Sequence, residues 1–160
     1  MKKIFFFIVC LSAIFIQNDK GQDTTQQNQL SQLLKNYYHI KDALVDGSGE
    51  KASVSAVDFI KVLNTIDYKI ISEGNVNALL KDATPISETT DLNRQRTYFS
   101  NLSDNMTVLA KAIKLTSEPV YQAYCPMKNA NWLSSDKAIK NPYYGSMMLT
   151  CGEVIETISH

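Results

Sequence analysis

Three long stretches of this chain repeat apolar residues at steps of three and four, which is the spacing of one face of an α-helix. The stripes are Leu30, Leu33, Leu34, Tyr37, Ile40 and Leu44; then Ala52, Ala56, Phe59, Leu63, Ile66 and Ile70; then Leu92, Phe99, Leu102, Met106, Leu109 and Ile113. Each stripe has to be buried against another element. The chain is therefore predicted to be mainly α, with an antiparallel up-and-down bundle of three long helices and one short helix.

Breaks in the pattern set the predicted helix ends. The first long helix is expected to stop at Asp46-Gly47-Ser48-Gly49, where glycine supplies the left-handed geometry of a helix end. The short helix is predicted over residues 76–82, and Pro85 is predicted to begin a new helix. Arg96 lies on the third apolar stripe, and we expect its charged head to extend to the edge of the core.

The N-terminus has the pattern of a secretory signal. Met1-Lys2-Lys3 precedes an apolar run of roughly 13 residues, which is too short to span a membrane as a helix. We assign residues 1–21 to a signal peptide and the polar residues 22–29 to a disordered lead-in. The expected location is periplasmic or secreted, since the residues before Cys10 do not resemble a lipoprotein cleavage box and a lipid anchor is less favoured.

The formal net charge of the chain is zero, and its basic residues form no stripe. This composition gives no electrostatic case for nucleic acid as a partner. After removal of the signal, no transmembrane segment is expected. The remaining chain is predicted to be one domain, with the bundle over residues 30–117 and a C-terminal tail over 118–160 packed on it.

The tail is rich in turns and aromatic residues, and it is predicted to be irregular with two short strands. Two segments in it combine cysteine with methionine, namely Cys125-Pro126-Met127 and Met147-Met148-Leu149-Thr150-Cys151. Thiolate and thioether are soft donors that select Cu(I) and, by the same softness, Ag(I). If the two segments meet, Cys125, Met127, Met148 and Cys151 form a candidate metal site, with Met147 as an optional fifth ligand.

The same two cysteines also fit a different structure. An even number of cysteines in an exported chain is typical of a disulfide. A bridge between Cys125 and Cys151 would close a loop of about 26 residues and stabilise the fold by roughly 3 kcal/mol. The methionines would then be core fillers, which is their commonest role. The residues alone leave the metal site and the bridge as alternatives.

The sequence offers little for catalysis, and we predict that the protein is not an enzyme. His39 is expected at the surface, and no motif for a nucleophile, a phosphate loop or a catalytic triad accompanies it. A thiol redox enzyme would have to use Cys125 and Cys151, which lack the close Cys-x-x-Cys spacing.

Several phrases resemble a bacterial family, common in Bacteroidetes, that is a periplasmic domain of unknown function. They are Lys41-Asp42-Ala43-Leu44-Val45, Gln95-Arg96-Thr97-Tyr98-Phe99, Val120-Tyr121-Gln122-Ala123-Tyr124-Cys125-Pro126-Met127, Trp132-Leu133-Ser134, Asn141-Pro142-Tyr143-Tyr144-Gly145 and Met148-Leu149-Thr150-Cys151-Gly152. This family occurs alone after a signal peptide and also fused to periplasmic adaptor subunits of copper/silver efflux pumps.

The resemblance implies a soft-metal protein, with Cys125, Met127, Met148 and Cys151 as the ligand positions. It implies Cu(I) or Ag(I) as the bound ion and a periplasmic efflux adaptor as a partner. The function expected from it is to buffer the ion or to hand it to the adaptor by ligand exchange. The alternative is a periplasmic interaction module stapled by a Cys125–Cys151 disulfide, with no metal.

Overall fold

Four helices pack each on the next along the chain, and a small antiparallel sheet closes the C-terminus. The computed structural model describes residues 19–160, with side chains described from Thr24 onward. The helices are α1 (Asp19–Val45), α2 (Gly49–Leu63), α3 (Glu73–Ser87) and α4 (Leu92–Ala112), and the strands are β1 (Val120–Cys125), β2 (Ala130–Ser134) and β3 (Glu153–Ile158). The prediction of a mainly α bundle is confirmed.

The tight turn between α1 and α2 depends on small residues. Gly47 has a φ of +71°, the left-handed conformation that ends α1, and the Ser48 side chain then caps α2 by accepting from the Lys51 N–H. A Cβ at Gly49 would lie 2.0 Å from the Thr90 carbonyl oxygen, so only glycine lets the α3–α4 connection approach α2 here.

Helix α1 begins earlier than the sequence predicts. It runs through residues 22–29, which the sequence analysis assigns to a disordered lead-in. The amides of Gln27 and Gln29 donate to the carbonyls of Leu115 and Thr65, so this polar turn gains tertiary partners that its composition does not reveal. Of the predicted signal segment, residues 1–18 lie outside the described part of the chain.

Helix α3 is longer than predicted, and the expected helix start at Pro85 is wrong. Pro85 lies inside the last turn of α3, which continues to Ser87. Near a helix end proline removes only one hydrogen bond. The Thr84 carbonyl accepts from both the Glu88 N–H and the Ser87 hydroxyl, which completes the turn.

The tail forms three strands, one more than predicted, in the order β2-β1-β3 with both pairs antiparallel. Strand β2 packs on α4. The Tyr37 hydroxyl, deep in the bundle, accepts from the Leu133 N–H at 3.0 Å and lies 2.7 Å from the Ser103 hydroxyl. These bonds fix the sheet on α1 and α4, because each buried polar group would otherwise lack a partner.

Arg96 does not extend to the surface, so that expectation is wrong. It is buried, and it donates to the Pro142 carbonyl at 2.9 Å and to the Leu44 carbonyl at 3.1 Å. Leu44 lies at the end of α1 and Pro142 in the loop after β2, so a single guanidinium joins the bundle to the tail. Gly145, with a φ of +56°, lets the loop approach Arg96 and the Val45 carbonyl.

Among the helices described for residues 19–160, none has both the length and the apolar character needed to cross a membrane.

Replacing Arg96 by alanine is expected to lower the free energy of unfolding by about 3 kcal/mol, because two buried carbonyls lose their donor. Urea denaturation followed by circular dichroism measures this change. Arg94→Ala is the control, since Arg94 is exposed on the same helix and should change stability by less than about 0.5 kcal/mol. Equal effects of the two substitutions would contradict the role given to Arg96.

Candidate metal centre

The two cysteines meet. Cys125 ends β1 and Cys151 lies just before β3, and the pairing of Tyr124 with Glu153 brings these two ends together. Their Sγ atoms are 3.6 Å apart and both thiols are free. A disulfide bond is about 2.05 Å long, so the pair is in contact but not bridged.

This separation is close to that of two ligands on one ion. With a metal–thiolate bond of about 2.3 Å, as in zinc sites, two sulfurs at a trigonal or tetrahedral angle lie roughly 3.8–4.0 Å apart. The observed Sγ–Sγ distance of 3.6 Å therefore needs to open by only a few tenths of an ångström to hold a metal ion between the thiols. The condition on which both sequence-based alternatives depend, that the two cysteines meet, is fulfilled.

The methionines lie beside the pair and at the surface. The backbone N–H of Met127 lowers the pKa of the Cys151 thiol, and the Met148 carbonyl accepts from the Cys151 N–H at 3.1 Å. Met127 is 66 % exposed, Met148 37 % and Met147 75 %. The alternative in which these methionines fill the core is therefore wrong. Methionine side chains are flexible, since they have three rotatable bonds.

The loop that carries Cys151 is organised by Asn141, which is fully buried. Its Nδ2 donates to the Cys151 carbonyl at 2.6 Å, and its Oδ1 accepts from the Tyr143 and Tyr144 N–H groups. Its own N–H donates to the Leu149 carbonyl at 2.8 Å. In the sequence, Asn141-Pro142 is typical of a loop, and a side-chain amide in a turn is a known source of such local bonds.

Two buried aromatic residues of the tail pack against each other near the chain that follows Cys151. Trp132 and Tyr143 are buried, with ring centroids 6.1 Å apart, and Tyr143 also lies 5.9 Å from the Phe99 ring on α4. A Cβ at Gly152 would lie 2.8 Å from the Trp132 ring, so this glycine lets the chain after Cys151 pass closely over it. These rings belong to the core that joins tail and bundle.

The electrostatics of the pair follow from its contact. The hydrogen bond from Cys151 to Cys125 is the largest influence and raises the pKa of the Cys151 thiol, and partial burial raises it further. The Met127 N–H opposes this increase, because it stabilises a thiolate at Cys151. The contact with Cys125 therefore favours the protonated form of Cys151.

Other ligand types do not gather here. His39 is exposed on α1. The Nε2 atom of His160 lies 2.8 Å from the Ala110 carbonyl oxygen of α4, so this ring contacts the bundle and not the thiols. Within residues 19–160, no three side chains of the His, Cys, Asp or Glu type come together as a metal-binding group. Further protein ligands for an ion on the thiols would thus come from methionine or from the backbone.

The thiol pair does not line the large groove of the bundle. That cavity, of about 550 Å³, lies between α1 and α2 and is lined by residues such as His39, Asp42, Asp46, Glu50 and Val54. The candidate centre is instead a small site near the surface, where the end of β1 meets the loop that precedes β3.

A family profile described as "Protein of unknown function (DUF3347)" matches residues 33–118, which is more than half of the 160-residue chain. The matched stretch covers most of the bundle and ends before Cys125. No curated protein and no solved structure matches the chain significantly.

Replacing Asn141 by aspartate is expected to separate the two thiols. A carboxylate keeps the acceptor for the Tyr143 N–H but places an oxygen against the Cys151 carbonyl, where Asn141 now donates. The equilibrium constant for Cys125–Cys151 bridge formation in a glutathione buffer should fall at least about tenfold. Thiol quantification under equilibrium conditions measures this change.

Asn36→Asp is the matched control. Asn36 is also buried, and its Nδ2 also donates to a backbone carbonyl, that of Asp58, at 3.1 Å. Both substitutions should lower stability, because each buries a carboxylate. Only Asn141→Asp should change the thiol equilibrium, and an equal change in both variants would refute a positioning role for Asn141.

Proposed function

The chain belongs to the family described as Protein of unknown function (DUF3347), and we propose from its own side chains that it binds Cu(I) or Ag(I). The ligands are the thiolates of Cys125 and Cys151 and the thioethers of Met127 and Met148, with Met147 as an optional ligand. The observation that carries the proposal is the 3.6 Å contact of two unbridged thiols from segments 26 residues apart.

The donor set favours a soft monovalent ion. Thiolates and thioethers bind Cu(I) and Ag(I), whereas hard cations need oxygen ligands. Zinc is a weaker candidate, because its sites are built from Cys, His and carboxylate, and methionine is not among its usual ligands. Two thiols alone would leave a zinc ion half coordinated.

The difference in exposure between the ligands supports exchange rather than storage. Cys125 is completely buried and Cys151 partly buried, whereas Met127 and Met148 lie at the surface. A partner can therefore approach an ion from the thioether side while the thiolates still hold it. The proposed role is to buffer the ion or to transfer it by ligand exchange, without making or breaking covalent bonds in a substrate.

The expected setting is outside the cytoplasm, since residues 1–21 have the pattern of a secretory signal. The resemblance of the tail phrases to domains fused to copper/silver efflux adaptors makes such an adaptor the proposed recipient of the ion. The protein would then act as a periplasmic carrier or buffer rather than as an enzyme.

The same thiol contact supports a second function. Oxidation would join Cys125 to Cys151 and staple the tail, and the protein would then be a periplasmic interaction module with no metal. The metal-binding function is favoured because it uses the soft thioethers that neighbour both cysteines in sequence, whereas a staple uses only the thiols.

Titration of the reduced protein with Cu(I) against a competing chelator is expected to reveal one tight site per chain. Replacing both Met127 and Met148 by leucine should weaken it at least about tenfold, which corresponds to 1.4 kcal/mol of lost ligand binding. Leucine has nearly the same volume as methionine, so folding should be little affected.

Met106→Leu serves as the control for this titration. Met106 is buried in the bundle core, and its substitution removes a thioether without touching the site. Its Cu(I) affinity should equal that of the wild type. Absence of a tight site in the reduced wild type would refute the proposal, and an unchanged affinity in the double variant would remove the methionines from the ligand set.

Cu(I) affinity is also expected to increase with pH. The contact with Cys125 raises the pKa of Cys151, so at neutral pH this thiol is protonated and must lose its proton when the ion binds. Each proton released makes the affinity rise by about tenfold per pH unit below the thiol pKa.

Competition titrations at several pH values between about 6 and 8 measure this slope. The Met127→Leu/Met148→Leu variant should keep the slope, since thioethers carry no proton at any of these pH values. Cys151→Ser should lower this slope by one proton released per bound ion. A flat profile in the wild type would argue against thiolate ligands.

A further inference from the structure

The two thiols of the candidate centre differ in access. Cys125 has no exposed surface and lies on β1, the central strand, which is hydrogen-bonded to strands on both sides. Cys151 is partly buried and lies in the loop between the turn at Gly145–Met147 and β3. A molecule that arrives from solvent can therefore contact the sulfur of Cys151 first.

The two thiols also differ in freedom to move. A bond between the sulfurs would require them to approach from 3.6 Å to about 2.05 Å. Cys125 ends β1 and pairs with Ala130 of β2, so the sheet fixes its backbone on that edge. Cys151 is attached through its backbone to Met148 and to the side chain of Asn141, so a small shift of this loop brings the sulfurs together.

From this asymmetry we propose that Cys125 and Cys151 form a thiol–disulfide exchange centre that reacts with small-molecule disulfides, with Cys151 as the attacking thiol and Cys125 as the resolving thiol. The bridge that results switches off the metal site. The assignment of the two thiols stands on geometry alone, and the switch rests on the proposed Cu(I) or Ag(I) function.

The chemistry balances with a disulfide RSSR as the oxidant. The Cys151 thiolate attacks one sulfur of RSSR, so a mixed disulfide forms at Cys151 and one RS⁻ leaves. The Cys125 thiolate then attacks the Cys151 sulfur, the Cys125–Cys151 bond forms and the second RS⁻ leaves. The protein dithiol loses two electrons, RSSR gains them, and the two thiol protons end on two molecules of RSH.

The bridge removes both anionic ligands at once. Its two sulfurs carry no negative charge, and only the thioethers of Met127 and Met148 remain for the ion. Neutral thioethers on a solvated surface bind a coinage-metal ion more weakly than thiolates do. An oxidising environment would thus release the ion, and a reducing one would restore the site.

The order of attack is tested with glutathione disulfide as the probe. Cys125→Ser keeps the attacking thiol, so it should accumulate one glutathione per chain, seen by intact mass. Cys151→Ser should be modified at least about tenfold more slowly, because Cys125 is inaccessible to solvent. The wild type should lose two hydrogens and retain no glutathione.

A measurement on the wild type covers the case in which a serine variant fails to fold. The protein is mixed with glutathione disulfide, quenched by alkylation at short times and mapped by peptide mass. Glutathione should be found on Cys151 and not on Cys125. Glutathione mainly on Cys125, or equal modification rates of the two serine variants, would overturn the assignment, and a wild type that keeps glutathione would exclude Cys125 as the resolving thiol.

The switch is tested by Cu(I) titration of the same protein in reduced and bridged forms. The bridged form should bind at least about 100-fold more weakly, and reduction should restore the affinity. Equal affinity in both forms would overturn the switch and leave the proposed function intact if the reduced site is tight. If the reduced protein binds no Cu(I), the proposed function and the switch both fail, while the mass results still decide the order of attack.

Discussion

The attachment of the C-terminal sheet to the helical bundle is the constraint on which the candidate site depends. It is made by buried hydrogen bonds between residues far apart in sequence. The Tyr37 hydroxyl accepts from the Leu133 N–H, and the Arg96 guanidinium donates to the carbonyls of Leu44 and Pro142. Such bonds are directional, and their loss leaves polar groups without partners in an apolar interior. They therefore fix one orientation of the sheet, where apolar contact alone would tolerate several.

A second set of polar contacts, within the tail, brings the two cysteines together. Asn141 links the Cys151 carbonyl to the turn at Tyr143 and Tyr144, while the β1–β3 pairing holds the other cysteine. The thiol contact is thus the product of a sheet on one side and one side-chain amide on the other. The sheet positions Cys125 and the Asn141 amide positions the loop of Cys151, and together they decide the distance between the sulfurs.

The helices could be predicted from sequence because their information is local. The apolar stripes identified the residues that the bundle buries, including Tyr37, Phe59 and Phe99, and the turn at Gly47 ended α1 as expected. The role of Pro85 could not be predicted, because the sequence around a proline does not show whether it lies in the first or the last turn of a helix.

The candidate site was only partly predictable. The sequence required Cys125 and Cys151 to meet for either a metal site or a disulfide, and in the structure their Sγ atoms are 3.6 Å apart. The roles of Arg96 and Asn141 did not follow, because each bonds to backbone carbonyls that no local pattern identifies. An arginine on an apolar stripe usually extends to the edge of the core, and an asparagine before proline usually marks a loop. Only the tertiary fold shows that these two side chains bond to distant carbonyls instead. The strand that the sequence did not predict is β2, which pairs antiparallel with β1 across the short turn at residues 126–129.

The central position of β1 in the sheet gives the two sides of the site different local stability. Backbone amides of a strand paired on both edges are released only when the sheet separates, whereas a surface loop opens with a much smaller free energy. Fluctuations of the segment between Asn141 and Cys151 can thus occur while the bundle and the sheet remain folded. An ion held across this boundary would dissociate at the rate of a local loop opening, many times faster than the protein as a whole unfolds.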